Sequence, residues 1–264
     1  MIDIKELDCG YGNNIVLNGI NLSINKGEFL GIVGPNGSGK TTLLRAITGM
    51  LQPIKGEIIV SGNDVSNMTI KEIAQKMAVV SQYVESSYIK VEEYVLLGRI
   101  PYYRKLQLFE SKNDEKLAEQ YMKTAGIDHL RYRVLNEISG GEQQLAMIAR
   151  ALCQETDLLL LDEPTSHLDI SHQSEIMDLI RRLKKECGIT VISVLHDLNL
   201  ASEYCDKLIL LNKGSVYSAG PPGEVLSYKN IEDVYRTVVI VRENPVSGKP
   251  HVFVVSEESL KNEK

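Results

Sequence analysis

The 264-residue sequence carries 29 Lys and Arg against 35 Asp and Glu, a formal charge of −6, with 43% hydrophobic and 24% charged residues. That balance suits a soluble globular chain able to bury a core, and its acidity argues against binding nucleic acid through basic charge. No apolar run approaches the roughly 18–20 residues of a membrane span, and the opening MIDIKELD lacks the basic and apolar regions of a secretory signal.

The chain opens with alternating apolar and polar residues at 2–7 and 20–24, which predict strands separated by turn residues Gly10, Gly12, Asn13 and Asn14. A compact apolar run at 29–33 predicts a buried strand, followed by a Gly-rich loop and a helix over 40–48. Further strands are expected at 58–60 and 78–81. Residues 84–135 change character: many charges and helical spacing at Leu117, Tyr121 and Met122 predict an inserted helical sub-domain. Regular strand and helix alternation follows. Leu145, Ile148, Ala149 and Leu152 form one helix face, and Ile176, Leu179, Ile180 and Leu183 another. Runs at 158–161, 191–195 and 208–211 read as buried strands of a mainly parallel sheet with helices on its faces. A hairpin of 238–241 and 252–255, turning near Asn244, Pro245 and Gly248, precedes a solvated tail at 261–264. The four cysteines (Cys9, Cys153, Cys187, Cys205) include no C-x-x-C pair and read as reduced thiols.

Three motifs carry chemistry. Gly34, Pro35, Asn36, Gly37, Ser38, Gly39, Lys40 and Thr41 form a complete G-x-x-x-x-G-K-[ST] match, continued by Thr42. Such a loop turns backbone N–H groups onto phosphate oxygens, at the positive end of the following helix. Lys40 would reach the β- and γ-phosphates, and the Thr41 hydroxyl would bind Mg²⁺. Asp162 and Glu163 end the buried run at 158–161. Asp162 suits a Mg²⁺ partner through metal-bound water, and Glu163 a base that positions attacking water. Ser139, Gly140, Gly141 and Glu142 precede an amphipathic helix, with Ser139 as cap and two glycine N–H groups free for an anion. An isolated Ser-Gly-Gly is simply a well-capped helix. A second anion site about 100 residues after the first suits two molecules facing head to tail, each completing the other's site.

With these motifs in this order, residues 1–235 resemble the nucleotide-binding subunit of an ATP-binding cassette (ABC) transporter. The resemblance implies an α/β P-loop NTPase (RecA-like) core, with an N-terminal antiparallel β sub-domain and a helical signature sub-domain inserted at about 84–155. Residues 236–264 would then be a C-terminal extension. It also implies roles for residues that mean little alone. Tyr11 resembles the aromatic residue that stacks on adenine, and Gln82 the hinge glutamine that touches Mg²⁺ and senses the membrane partner. His196 resembles the switch histidine that contacts the γ-phosphate. Ser139, Gly140, Gly141 and Glu142 resemble the signature that closes on the other subunit's ATP. Asp169, ending Ser166-His167-Leu168-Asp169, resembles the loop residue that links the two sites. The usual Leu and Gln of the signature are Ile138 and Glu142 here, and Gln143 and Leu145 stand where basic residues are common.

The expected activity is ATP hydrolysis with Mg²⁺ by a homodimer holding ATP at its interface. The expected partners are a polytopic permease and an external substrate-binding protein, with the chain peripheral on the cytoplasmic face of the membrane. The segment Leu97-Gly98-Arg99-Ile100-Pro101-Tyr102 resembles one in importers of iron chelates, haem and cobalamin, where this neighbourhood receives the permease's coupling helices. The C-terminal stretch resembles the tail of haem and cobalamin importer ATPases. A soluble ABC ATPase of iron–sulfur cluster assembly is the alternative.

Overall fold

The first strand buries every apolar residue of its inward face, Ile2, Ile4, Leu7 and Cys9, and this alternation sets the first layer of the fold. The computed structural model describes residues 1–82, 88–104, 107, 109–256 and 258. The chain divides into two units, Met1–Asn67 with Ile192–Lys264, and Met68–Val191.

The first unit begins with β1 (Ile2–Tyr11), β2 (Asn14–Ile24), β3 (Phe29–Val33), α1 (Lys40–Ile47), β4 (Lys55–Val60) and β5 (Asn63–Asp64). Strands β2, β1, β4 and β5 form an antiparallel sheet in that order. The β1–β2 hairpin runs further than alternation predicts. Register shifts between Ile4 and Gly10 break the period of two, so pairing continues to Tyr11 and Asn14 and leaves only Gly12 and Asn13 as the turn. Strand β3 is buried at all five residues, as its unbroken apolar run requires.

The second unit contains α2 (Ile70–Lys76), β6 (Met77–Val80), α3 (Val91–Leu96), α4 (Lys112–Thr124), α5 (Gly140–Cys153), β7 (Leu158–Asp162) and α6 (Ile170–Cys187). Its two strands pair in parallel, with Val80 opposite Leu161, so both end at the same edge. Helix α5 buries Leu145, Ile148, Ala149 and Leu152, and α6 buries Ile176, Leu179, Ile180 and Leu183, the two faces their spacing predicts. The expected start of the helical insertion, residue 84, lies outside the described residues.

Strand β8 (Thr190–Val194) returns the chain to the first unit. There follow α7 (Leu198–Tyr204), β9 (Lys207–Asn212), β10 (Ser215–Gly220), α8 (Pro222–Val225), α9 (Tyr228–Tyr235), β11 (Val239–Glu243) and β12 (Pro250–Val254). In this unit β10, β9, β3 and β8 are neighbours in that order, with β3 parallel to β9 and β10 antiparallel at the edge. The expected hairpin is present as β11 and β12, with Val239 opposite Val254. Helix α7 holds it through Asn199 and Ser202. The expected solvated tail, 261–264, lies outside the described residues.

Candidate functional site

In the first unit β3 delivers the chain straight into the loop 34–39, and α1 begins at Lys40. Gly34 has φ 150°, and a Cβ there would stand 2.4 Å from the Leu211 carbonyl oxygen, so only glycine fits. Gly39 caps α1 with φ 105°, offers no side-chain cap, and no acid sits in the first turn. The start of the helix thus carries its positive dipole end without a side-chain cap or a neutralising acid. Lys40 is 6% exposed; its Nζ donates to the carbonyl oxygens of Gly34 at 2.8 Å and Pro35 at 3.0 Å. The Ser38 hydroxyl is buried and has no hydrogen-bond partner. A cavity of about 260 Å³ adjoins this loop, lined by Asn36, Gly37 and Ser38 and by Lys213, Asp233 and Arg236. A buried ammonium held by the loop's own carbonyls, an orphaned hydroxyl and a helix start with no side-chain cap together suit a polyphosphate.

Thr41 is half-buried and Thr42 buried at the start of α1. Tyr11 ends β1 and is 45% exposed, and its hydroxyl accepts from Arg45 Nη1 at 3.0 Å. His196 is exposed, between β8 and α7.

In the second unit the parallel pairing of β6 and β7 brings Gln82 and Glu163 together just beyond the two strand ends. Gln82 Nε2 donates to Glu163 Oε2 at 2.8 Å, and the Ser166 hydroxyl donates to the same oxygen at 3.0 Å. Glu163 sits at φ 54°, a left-handed conformation that costs a non-glycine residue about 1–3 kcal/mol unless its surroundings enforce it. Asp162, the last residue of β7, is half-buried.

Ser139 caps α5. Its hydroxyl accepts from Glu142 N–H, while Glu142 Oε2 accepts from Ser139 N–H at 2.7 Å and from its hydroxyl at 2.8 Å. These bonds, the backbone one foremost, hold the Glu142 carboxyl below its ordinary range. The unusual acid at this position thus completes the cap. Asp169 caps α6. One oxygen, Oδ1, takes His172 N–H at 2.9 Å, the Ser171 hydroxyl at 2.7 Å and His172 Nδ1 at 2.9 Å. The backbone donor leads, and together the three push the Asp169 carboxyl far below its usual range.

The sequence reading named neither Ser166 as a partner of Glu163 nor His172 as a partner of Asp169. Both pairings join residues three apart at a strand end or helix start, where spacing of this kind brings side chains together. Within the segment 97–102, Arg99 is buried. Arg99 pairs with Asp114 at 3.0 Å and Glu155 at 2.9 Å, and donates to the Cys153 carbonyl oxygen at 2.8 Å. Leu97, Ile100 and Tyr102 carry the exposed part of that segment.

The family model described as "ABC transporter" matches residues 17–166. An uncharacterized ABC transporter ATP-binding protein of Bacillus subtilis, YvrA, is 39% identical over 96% of this chain, which spans 58% of that relative's length. The petrobactin import ATP-binding protein FpuD of Bacillus anthracis is 36% identical over 94% of this chain and 91% of its own. Among solved structures, an inward-facing conformation of a metal-chelate type ABC transporter matches with TM-score 0.86 and 28% identity, covering 97% of this chain and 98% of that one. The dimeric structure of MJ0796, a bacterial ABC transporter cassette, matches with TM-score 0.74 and 32% identity, over 84% of this chain and 99% of that one.

Proposed function

The chain belongs to the ABC transporter family as an ATP-binding subunit, and from that premise we propose that it hydrolyses ATP to energise import of a metal chelate through a separate permease. The observation that carries the nucleotide half is the phosphate loop: Lys40 folded onto the loop carbonyls, beside an orphaned Ser38 hydroxyl, at an uncapped helix start. The import half is supported by relatives of nearly equal length named for petrobactin import and for ferric enterobactin transport. Among the described residues no helix is long and apolar enough to cross a membrane, so the permease would be another chain. An external binding protein would deliver the chelate, and attachment would be peripheral, on the cytoplasmic side. Residues 1–235 would be the ATPase domain and 236–264 an extension to it.

Two copies would hold two ATP molecules between them; the pairing of copies is supported by similarity to a cassette whose structure is dimeric. In each site the loop 34–39 and Lys40 of one copy would bind the phosphates, with Tyr11 against the base. Ser139, Gly140, Gly141, Glu142 and Asp169 of the other copy would close over them. Thr41, Gln82 and Asp162 supply a hydroxyl, an amide and a carboxylate, all hard oxygen donors of the kind Mg²⁺ takes. Bound there, Mg²⁺ would neutralise phosphate charge. Glu163 would accept hydrogen bonding from the attacking water, with Gln82 and Ser166 fixing its carboxylate and His196 meeting the γ-phosphate. Hydrolysis in this scheme is mainly positioning and charge stabilisation.

The test is affinity purification of tagged Glu163→Gln with ATP from native membranes solubilised in detergent. A polytopic permease in a 2:2 complex supports transport. Recovery of a soluble scaffold and no membrane protein would replace transport with iron–sulfur cluster assembly.

A further inference from the structure

We propose that His172 is a positioning residue that locks the Asp169 loop and the turn 139–142 into one rigid half-site. The inference rests on the functional reading above, in which both elements close over ATP held by a second copy. Its ground is a contact made by one imidazole with both of them. On one side, His172 Nδ1 lies 2.9 Å from Asp169 Oδ1. That carboxylate oxygen also takes the Ser171 hydroxyl and the His172 backbone N–H, so a proton on Nδ1 completes a three-donor set. On the other side the ring covers Gly141. A Cβ on Gly141 would stand 2.4 Å from His172 Cδ2, 2.9 Å from Cγ and 3.0 Å from Nε2. No side chain fits there while the ring is in place, so the second glycine of the turn has a packing reason independent of any ligand.

The consequence is mechanical. Asp169 caps α6 and Ser139 caps α5, and His172 lies 31 positions after Gly141 in the sequence. The hydrogen bonds of Asp169 run to Ser171, His172 and Gln173, and those of Ser139 run to Glu142 and Gln143. His172 therefore stands between two groups that do not bond each other. With the ring seated, the glycine N–H groups of the turn and the free Oδ2 edge of Asp169 keep a fixed spacing before a second copy arrives. Pre-set spacing lowers the ordering cost of closing the dimer. Residue 172 does not itself meet nucleotide in this account; it acts through Asp169 and Gly141.

The experiment uses the full chain carrying Glu163→Gln, with two readouts: binding of a fluorescent ATP analogue, and ATP-dependent dimerisation by sedimentation velocity. His172→Ala added to that chain should weaken ATP-dependent dimerisation about tenfold or more, the scale of one lost charge-assisted contact, and leave analogue binding unchanged. His172→Asn, which keeps a donor in place of Nδ1, should recover part of the loss; a residue that merely filled space would show no such rescue. Dimerisation of His172→Ala at the parent level, or no recovery with His172→Asn, overturns the proposal. Failure of the Glu163→Gln parent itself to dimerise with ATP would instead overturn the functional reading, so the two failures are separable.

Discussion

Gln82 and Glu163 stand side by side because β6 and β7 run parallel in register, and the Gln82 amide donates to Glu163 Oε2 at 2.8 Å. Two of that oxygen's donors, Gln82 and Ser166, fix the direction of the carboxylate. Glu163 also occupies a left-handed backbone conformation, at φ 54°, which turns it away from the strand path. Strain enforced by its neighbours is a mark of a residue whose direction matters.

Glu163→Gln preserves volume and can keep the Gln82 contact by reversal of one amide, while removing the base. ATP turnover should fall by about 10²–10⁴-fold with nucleotide binding intact, the range expected when a general base is lost. Gln82→Ala leaves the carboxylate in place but with one donor fewer. Its turnover should fall less, by about ten- to a hundredfold, as misdirected groups do. Steady-state ATPase assays beside equilibrium nucleotide binding check both. Normal turnover by Glu163→Gln would remove Glu163 from the chemistry.

The cap of α5 gives a second expectation. Glu142 presents a carboxylate where the reading brings the phosphates of a second copy's ATP, and its hydrogen bonds to Ser139 hold its pKa down. The charge therefore persists throughout the neutral range. Glu142→Gln keeps an acceptor for the cap and removes the charge. ATP-dependent dimerisation should tighten by about three- to tenfold at low ionic strength, and the gain should shrink as salt screens the half-buried charge. Titration of dimerisation against ATP at two salt concentrations measures it. An unchanged or weaker dimer would show that this carboxylate does not face phosphate.

Much of this architecture is legible in the sequence, for reasons that differ by element. Strand β3 and the helix after it are framed by a five-residue apolar run and a Gly-rich loop, and both occur where the pattern puts them. Helices α5 and α6 are 14 and 18 residues long, enough turns for a periodic face to emerge. The short helices α2, α7, α8 and α9 span four to eight residues and give no such signal. Edge strand β10 mixes Ser, Val, Tyr, Ala and Gly with little burial, so no apolar face marks it in the sequence. Within the candidate site, residue types and order reveal the loop, the acids and the cap. The pairing of Gln82 with Glu163 depends on strand register over 81 positions, and the seat of His172 on Gly141 depends on two helix starts meeting. Neither relationship is local in sequence. The burial of Arg99 is equally non-local, because the acids that pair with it stand 15 and 56 positions away.

That burial yields a stability expectation. Arg99 and Asp114 have side chains only 7% and 9% exposed, and the guanidinium also lies 4.3 Å from the Tyr102 ring centroid. Burial pushes the Asp114 carboxyl up, but the Ser111 hydroxyl, the Ser111 N–H and Arg99 outweigh it and hold it below its ordinary value. Arg99→Leu leaves that buried charge without its cation and should cost about 3–5 kcal/mol in urea unfolding. Because the folded carboxyl titrates below its unfolded value of about 4, its stabilisation is present above that pH and lost as pH falls through the folded value. Loss of the cation raises the folded value, so acid unfolding of Arg99→Leu should begin at higher pH than in the parent. Arg99→Leu with Asp114→Asn removes the stranded charge and should restore part of the stability. Equal loss in the single and double variants would show that the guanidinium acts by packing alone.

The C-terminal hairpin offers a test of a different kind. Two strands alone are marginal in water, so β11 and β12 need an anchor. Helix α7 provides it. Asn199 accepts from Val252 N–H at 2.7 Å and donates to its carbonyl oxygen at 3.2 Å, a reciprocal pair that mimics a strand neighbour. Ser202 donates to the Pro250 carbonyl oxygen at 2.6 Å, and the Ser247 hydroxyl donates to Glu203 at 2.7 Å. Asn199→Ala removes both bonds to Val252, which is itself buried, and should cost about 1–3 kcal/mol of local stability. Amide exchange should quicken across β11 and β12 while β3 and α1 keep their protection and ATP affinity is unchanged. Exchange that quickens equally in β3 would mean that the hairpin is part of the cooperative core of its unit, and that the extension cannot open without the phosphate loop.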